Sequence, residues 1–204
     1  KKAVGAESVV IDIPCGRGSK LKTIGDANLL AKDFIELGKR VGISVECAIT
    51  HGEQPIGYTI GPALEAREAL QTLMHPSTAA DLVDKATHIA GMLLELGGKK
   101  NGQELAMQIL KSGKAEKKLR EIIFEQGGDS EIKPEEIEIG KYGLDVKAEK
   151  KGIVLWIDNS VVVSVARAAG SPKDKTAGVQ LYKKVGDAVD VGDRLFTIYA
   201  DKSR

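Results

Sequence analysis

The chain has 204 residues, 42% apolar and 29% charged, with a formal net charge of +1 at pH 7; this composition suits a globular protein with room for one or two cores. Balanced charge excludes the broad basic face of a nucleic-acid binder, and no apolar run reaches the roughly 18 residues that mark a membrane span. No secretory signal opens the sequence, so a cytoplasmic protein without nucleic-acid or membrane partners is expected. Cys15 and Cys47 stand apart, with no CxxC pair or His–Cys spacing for zinc, which predicts buried reduced thiols.

The first strong signal is a β-branched run at residues 8–13. Its nearly continuous apolar character predicts a parallel strand covered on both faces. Asp12 lies inside it, and a carboxylate there needs a partner: Arg17, Lys20 or a structural hydrogen bond. The run leads into Pro14-Cys15-Gly16-Arg17-Gly18-Ser19-Lys20. A strand followed by a glycine-rich turn ending on a cation is one way α/β proteins present backbone N–H groups to a phosphate. The glycine spacing is not that of a P-loop, and a plain strand-to-helix turn is the alternative reading.

Ala27, Leu30, Ala31, Phe34, Ile35 and Leu37 follow helical spacing and predict a helix over 26–40, capped by Asp26 or a neighbour and ended by Gly38 or Gly42. A second strand at 43–49 completes a βαβ unit. His51 and Gln54 then fall at the C-terminal edge of the strands, where parallel sheets bind ligands, in a turn set by Pro55 and Gly57. Two strands make too small a parallel sheet, and the chain opens on Lys1-Lys2. The missing strands are expected in sequence preceding Lys1.

Helices are predicted over 62–73, 77–96, 101–112 and 114–126, with His88 as a structural histidine between apolar neighbours. Gly127-Gly128-Asp129-Ser130 and the acidic segment 131–138 read as a linker. Strands are predicted at 147–157, 179–182 and 196–200, a helix at 159–169, and turns at Gly186-Asp187 and Gly192-Asp193. The division is residues 1–130, an α/β domain, and residues 131–204, a strand-rich α+β domain.

Lys1-Lys2-x-x-Gly5, Val10-Ile11-Asp12-Ile13-Pro14-Cys15-Gly16-Arg17-Gly18-Ser19-Lys20, Glu53-Gln54-Pro55-Ile56-Gly57 and the run at 60–70 occur in that order. Gly127-Gly128-Asp129, Asp174-Lys175-Thr176-Ala177-Gly178-Val179 and Gly186-Asp187-x-Val189-x-x-Gly192-Asp193-x-Leu195 follow. Together they resemble the thymidine phosphorylase family, the second class of nucleoside phosphorylases. Bacterial members resemble Gly-Ser-Gly-Ala-Phe-Met at the first loop. The cation Lys20 makes this loop more similar to the archaeal AMP phosphorylase branch.

The resemblance implies part of a mostly parallel-sheet α/β domain, followed by a smaller α+β domain of barrel-sandwich or hammerhead type. It implies a pentosyltransferase of nucleotide salvage: phosphate attacks the anomeric carbon of AMP, adenine leaves and ribose 1,5-bisphosphate forms. Lys20 is the implied binding residue for the 5′-phosphate, with Gly16, Gly18 and Ser19 shaping the loop and Arg17 as a further cation. The phosphate site and the acidic proton donor are implied ahead of Lys1, so no catalytic residue is assigned and the isolated chain is expected to be inactive. Inorganic phosphate is the co-substrate, no cofactor or metal is implied, and a homodimer or larger homo-oligomer is. The alternative is a thymidine or pyrimidine-nucleoside phosphorylase. A distant one is a lipoyl- or biotinyl-like carrier modified on Lys175, although that lysine precedes both Gly-Asp turns instead of following the first.

Overall fold

The computed structural model describes residues 1–201. Its contacts form two compact units, one from residues 1–53 and 81–114, the other from residues 54–80 and from 115 onward. The units interleave along the chain.

In the first unit, β1 (Ser8–Cys15) and β2 (Ser44–His51) run parallel in register from Ser8 opposite Ser44 to Cys15 opposite His51, with α1 (Ile24–Val41) between them in sequence. The cap of α1 is Thr23, not Asp26: the Thr23 Oγ1 accepts from the Asp26 N–H at 3.1 Å, and Asp26 Oδ2 accepts the Thr23 hydroxyl at 2.7 Å. Gly42 ends the helix at φ 70°. Gly38 stays inside it, because a Cβ there would lie 2.4 Å from Val45 Cγ2; its bareness lets α1 sit close on β2.

The core of this unit is Ile13, Ala27 and Ala31, flanked by Leu30, Phe34 and Cys47. Each buried branched side chain such as Ile13 contributes about 1.5–3 kcal/mol. Burial on both faces of β1 does not occur: Ile13 is its one buried residue among those described, while Asp12 and Pro14 are exposed. Among the described residues β1 has β2 as its only strand neighbour, and α1 covers one face. Asp12 pairs with neither Arg17 nor Lys20; it meets Lys85 and Thr50.

α3 (Ala80–Leu96) and α4 (Gly102–Lys111) belong to the same unit. Val83, Thr87 and Gly91 form the buried stripe of α3. His88 follows Thr87 by the 100° turn of one helical residue, which takes it off that stripe, and it is exposed. The expected structural histidine is a surface one. Cys15 and Cys47 are free thiols, half-buried instead of fully buried, and burial pushes the Cys47 thiol above its ordinary value.

In the second unit, β3 (Thr59–Ile60), β6 (Gly178–Leu181), β8 (Arg194–Ala200) and β4 (Tyr142–Lys147) form an antiparallel sheet in that order. β5 (Gly152–Ile153) pairs with β7 (Ala188–Val189). The core is Ala166 of α6 (Asn159–Ala169) with Val179 and Leu181, packed by Tyr58, Ile60, Val165 and Phe196. α2 (Pro62–Met74) and α5 (Lys114–Glu125) complete the helices named here.

The expected strand at 147–157 resolves into β4, which ends at Lys147, and the two-residue β5. Leu155 and Trp156, apolar enough to suggest a strand, are exposed. The two-residue β3 was not anticipated, being too short to carry an alternating pattern.

Candidate functional site

β1 ends in the loop that the sequence singled out. Because β1 and β2 are parallel, their C-terminal ends lie side by side, and the Gly52 N–H donates to the Cys15 carbonyl at 2.8 Å. The chain after Cys15 turns back on itself at once: the Gly16 N–H donates to the Leu21 carbonyl at 2.9 Å, and Cys15 and Leu21 form an isolated β-bridge. Gly16 is buried with φ 141°, a region open to glycine and closed to nearly every other residue. The Ser19 N–H donates to the Gly16 carbonyl at 3.0 Å.

Two side chains stitch the loop from inside. The Ser19 hydroxyl lies 2.8 Å from the Gly16 carbonyl and 2.7 Å from that of Leu21. The Lys22 ammonium donates to the Arg17 and Ser19 carbonyls, both at 2.7 Å. A third comes from the turn after β2: Glu53 Oε1 accepts the Arg17 backbone N–H at 3.1 Å, and Oε2 accepts Arg17 Nε at 3.2 Å. The Arg17 N–H, and then its guanidinium, hold the Glu53 carboxyl below its ordinary value. Gly52 is bare because a Cβ would stand 3.0 Å from Ser19 Cβ and 3.1 Å from the Cys15 carbonyl oxygen.

The sequence-predicted residues therefore divide by task. Gly16 and Ser19 are spent on the loop's own shape. Gly18 is half-buried within it. Arg17 is engaged by Glu53, its side chain 70% exposed. Lys20 is exposed, and among the described residues no carboxylate or carbonyl engages its ammonium. Such a cation on an internally hydrogen-bonded loop at the C-terminal edge of parallel strands is suited to an anionic ligand. Sequence reasoning missed Glu53 and Lys22. Glu53 opens the quoted 53–57 stretch, and Lys22 stands two residues past Lys20, but only folding joins either to the loop.

His51, the last residue of β2, is exposed. Gln54 belongs to the other unit, where its Oε1 accepts the Val185 N–H at 2.9 Å. There the buried Lys184 ammonium donates to the Pro55 and Gly57 carbonyls. Glu68 accepts from the Tyr58 N–H and the Thr59 hydroxyl, both at 2.6 Å. The Pro55–Gly57 turn is thus held by charged side chains as well as by its own backbone. Glu65 and Arg67 act as helix-face structure: Glu65 accepts the Gly61 N–H at 2.9 Å and Arg67 donates to the Ile137 carbonyl at 2.5 Å. Lys175 is exposed between α6 and β6, its carbonyl accepting from the Ala63 N–H at 3.0 Å; it is not at a hairpin tip. No metal-binding group of three His, Cys, Asp or Glu occurs among the described residues, and no helix there is long and apolar enough to cross a membrane.

Comparison with known proteins finds likenesses along the chain. Residues 154–204 match the pyrimidine nucleoside phosphorylase C-terminal domain. The chain is 54% identical to the AMP phosphorylases of Pyrococcus abyssi and Thermococcus kodakarensis over 204 residues, which is 98% of this chain and 41% of each relative. It is 46% identical over 205 residues to the AMP phosphorylase of Methanosarcina acetivorans, 99% of this chain and 40% of the relative. The chain thus spans about two fifths of the length of these relatives. Similarity to these AMP phosphorylases extends along nearly the whole chain.

Proposed function

We propose that this protein is a pentosyltransferase that phosphorolyses nucleoside 5′-monophosphates, AMP and phosphate giving adenine and ribose 1,5-bisphosphate, in nucleotide salvage. One observation carries the reading: among the described residues no carboxylate meets the Lys20 ammonium, on a loop where Ser19, Lys22 and Arg17 are engaged by the loop or by Glu53. The relatives' name, AMP phosphorylase, supports a 5′-phosphate as the anion it meets. A nucleoside lacks that phosphate, so a cation placed there discriminates nucleotide from nucleoside by a charge-assisted hydrogen bond.

In the reaction, a phosphate oxygen bonds to C1′ while the glycosidic C–N bond breaks and its electron pair leaves with the base. The transition state carries positive charge on the sugar, and a donor must meet the charge on the departing base. Lys20 holds the far end of the substrate, turning binding energy remote from C1′ into orientation of the reacting bond. Inorganic phosphate is the co-substrate and no cofactor is invoked. A homodimer or larger homo-oligomer in the cytoplasm completes the proposal.

The test compares base release by the complete protein from AMP, CMP and UMP with release from thymidine and uridine, each with phosphate. Faster turnover of the nucleotides is expected. Faster turnover of the free nucleosides overturns the reading in favour of a pyrimidine-nucleoside phosphorylase.

A further inference from the structure

We propose that Glu53 is a positioning residue for nucleotide recognition: it fixes the Gly16–Leu21 loop in the form that presents Lys20, and so sets preference for substrates that carry a 5′-phosphate. The inference rests on the nucleotide reading of Lys20 and adds the residue that makes it work.

Three observations converge on Glu53. Both carboxylate oxygens are committed to Arg17, one to its backbone N–H at 3.1 Å and one to its Nε at 3.2 Å. The carboxylate also fills the space beside Gly16, where a Cβ would lie 2.9 Å from Glu53 Oε1. That contact ties the bare, positive-φ residue opening the loop to the turn that follows the neighbouring strand. Finally, Arg17 is the loop's other cation, and Glu53 neutralises it. With Lys22 occupied by the Arg17 and Ser19 carbonyls, Lys20 is the loop cation left for a ligand.

The arrangement is a division of labour among three cations within six residues. A carboxylate and two carbonyls absorb Arg17 and Lys22 into the scaffold, which spares the phosphate from competing, mobile partners. Loop order of this kind improves binding by lowering the conformational entropy lost when the ligand docks. Arg17 is thereby reassigned from phosphate contact to scaffold.

The experiment uses the complete protein with AMP and adenosine as parallel substrates. Glu53→Ala is expected to raise KM for AMP about tenfold, the scale of a lost hydrogen bond to a charged group, with KM for inorganic phosphate and kcat/KM for adenosine changed less than about twofold. Glu53→Gln, which keeps an acceptor for the Arg17 N–H, is expected to recover most of the AMP affinity. In a Lys20→Met background, Glu53→Ala is expected to have little further effect on AMP, because the residue it positions is gone.

Equal losses for AMP and adenosine in Glu53→Ala, or no loss for either, overturn the proposal. Should Lys20→Met itself leave KM for AMP unchanged, the nucleotide reading of the loop fails first. A Lys20→Met effect without a Glu53→Ala effect removes Glu53 alone. Arg17→Met separates the two cations: a loss matching that of Glu53→Ala supports the scaffold role, whereas a larger loss, additive with Glu53→Ala, returns Arg17 to the phosphate and overturns the assignment.

Discussion

The Lys85 ammonium of α3 lies 2.6 Å from Asp12 Oδ2 in the middle of β1, while Thr50 of β2 donates to Oδ1 at 2.6 Å. This pair fastens the helix to the strand that ends in the Lys20 loop. Both side chains are partly shielded, at 21% and 31% exposure, so the interaction is screened less than a surface pair but escapes the full desolvation penalty of a buried one. Lys85→Met is expected to lower stability by about 1–2 kcal/mol, read as a shift in the urea midpoint. An unchanged midpoint would show the bridge to be energetically idle.

Lys20→Met is expected to raise KM for AMP by an order of magnitude or more through loss of a charge-assisted contact, with the far-ultraviolet circular dichroism spectrum unchanged because the side chain is exposed. Steady-state kinetics at saturating phosphate check this. Kinetics equal to wild type remove Lys20 from the site.

Lys184 is 8% exposed, and its ammonium serves the carbonyls of Pro55 and Gly57 while lying 5.1 Å from the Tyr58 ring centroid. Replacing it with methionine keeps the packing of the stem but strips two carbonyls of their donor. The expected loss is about 2–6 kcal/mol, one to three for each carbonyl that loses this donor. Chemical denaturation measures it, and limited proteolysis within residues 54–58 should accelerate in the variant.

Gly91 on α3 and Gly102 at the start of α4 touch backbone to backbone: a Cβ on Gly91 would lie 2.4 Å from the Gln103 nitrogen, and one on Gly102 would lie 2.1 Å from the Gly91 oxygen. Neither neighbour is a flexible side-chain tip, so the helices must separate to admit a methyl. Gly91→Ala is expected to destabilise by about 3 kcal/mol, at the upper end of overpacking, despite alanine's better helix propensity. A thermal shift upward would contradict the close approach.

The Asp193 carboxylate accepts from the Lys183 ammonium at 2.9 Å and from the Asp190 N–H at 3.1 Å. These bonds, that of Lys183 first, hold its carboxyl below its ordinary value. A carboxylate depressed in the folded state contributes stability that is present above the unfolded value and disappears as pH falls through the folded one. Lys183→Met is therefore expected to flatten the stability profile on the acid side, below the usual carboxylate range, and to leave the slope near neutrality alone. Urea midpoints measured across that range decide it.

The helices were legible because each carries a 3.6-residue apolar stripe long enough to read; α6 was expected at 159–169 and spans Asn159–Ala169. Short strands were not. β3 and β5 have two residues each, and such segments become strands only because a distant partner offers its ladder. Residues 154–156 read as strand from their apolar side chains, but Trp156 and Leu155 are exposed, a reminder that β propensity reports a half-buried surface and cannot supply one.

At the loop, the sequence alone determined the chemistry on offer: a strand, a glycine-rich reversal and cations at positions 17, 20 and 22, in an order that the family resemblance made specific. Tertiary structure decided which cation is available. Glu53, 36 residues after Arg17, comes beside it because β1 and β2 run parallel and end at one edge. Lys22 folds back on loop carbonyls whose direction depends on the positive φ of Gly16. Charge is written residue by residue, whereas the partners that tie down Arg17 and Lys22, and that among the described residues leave the Lys20 ammonium without one, are set only by folding.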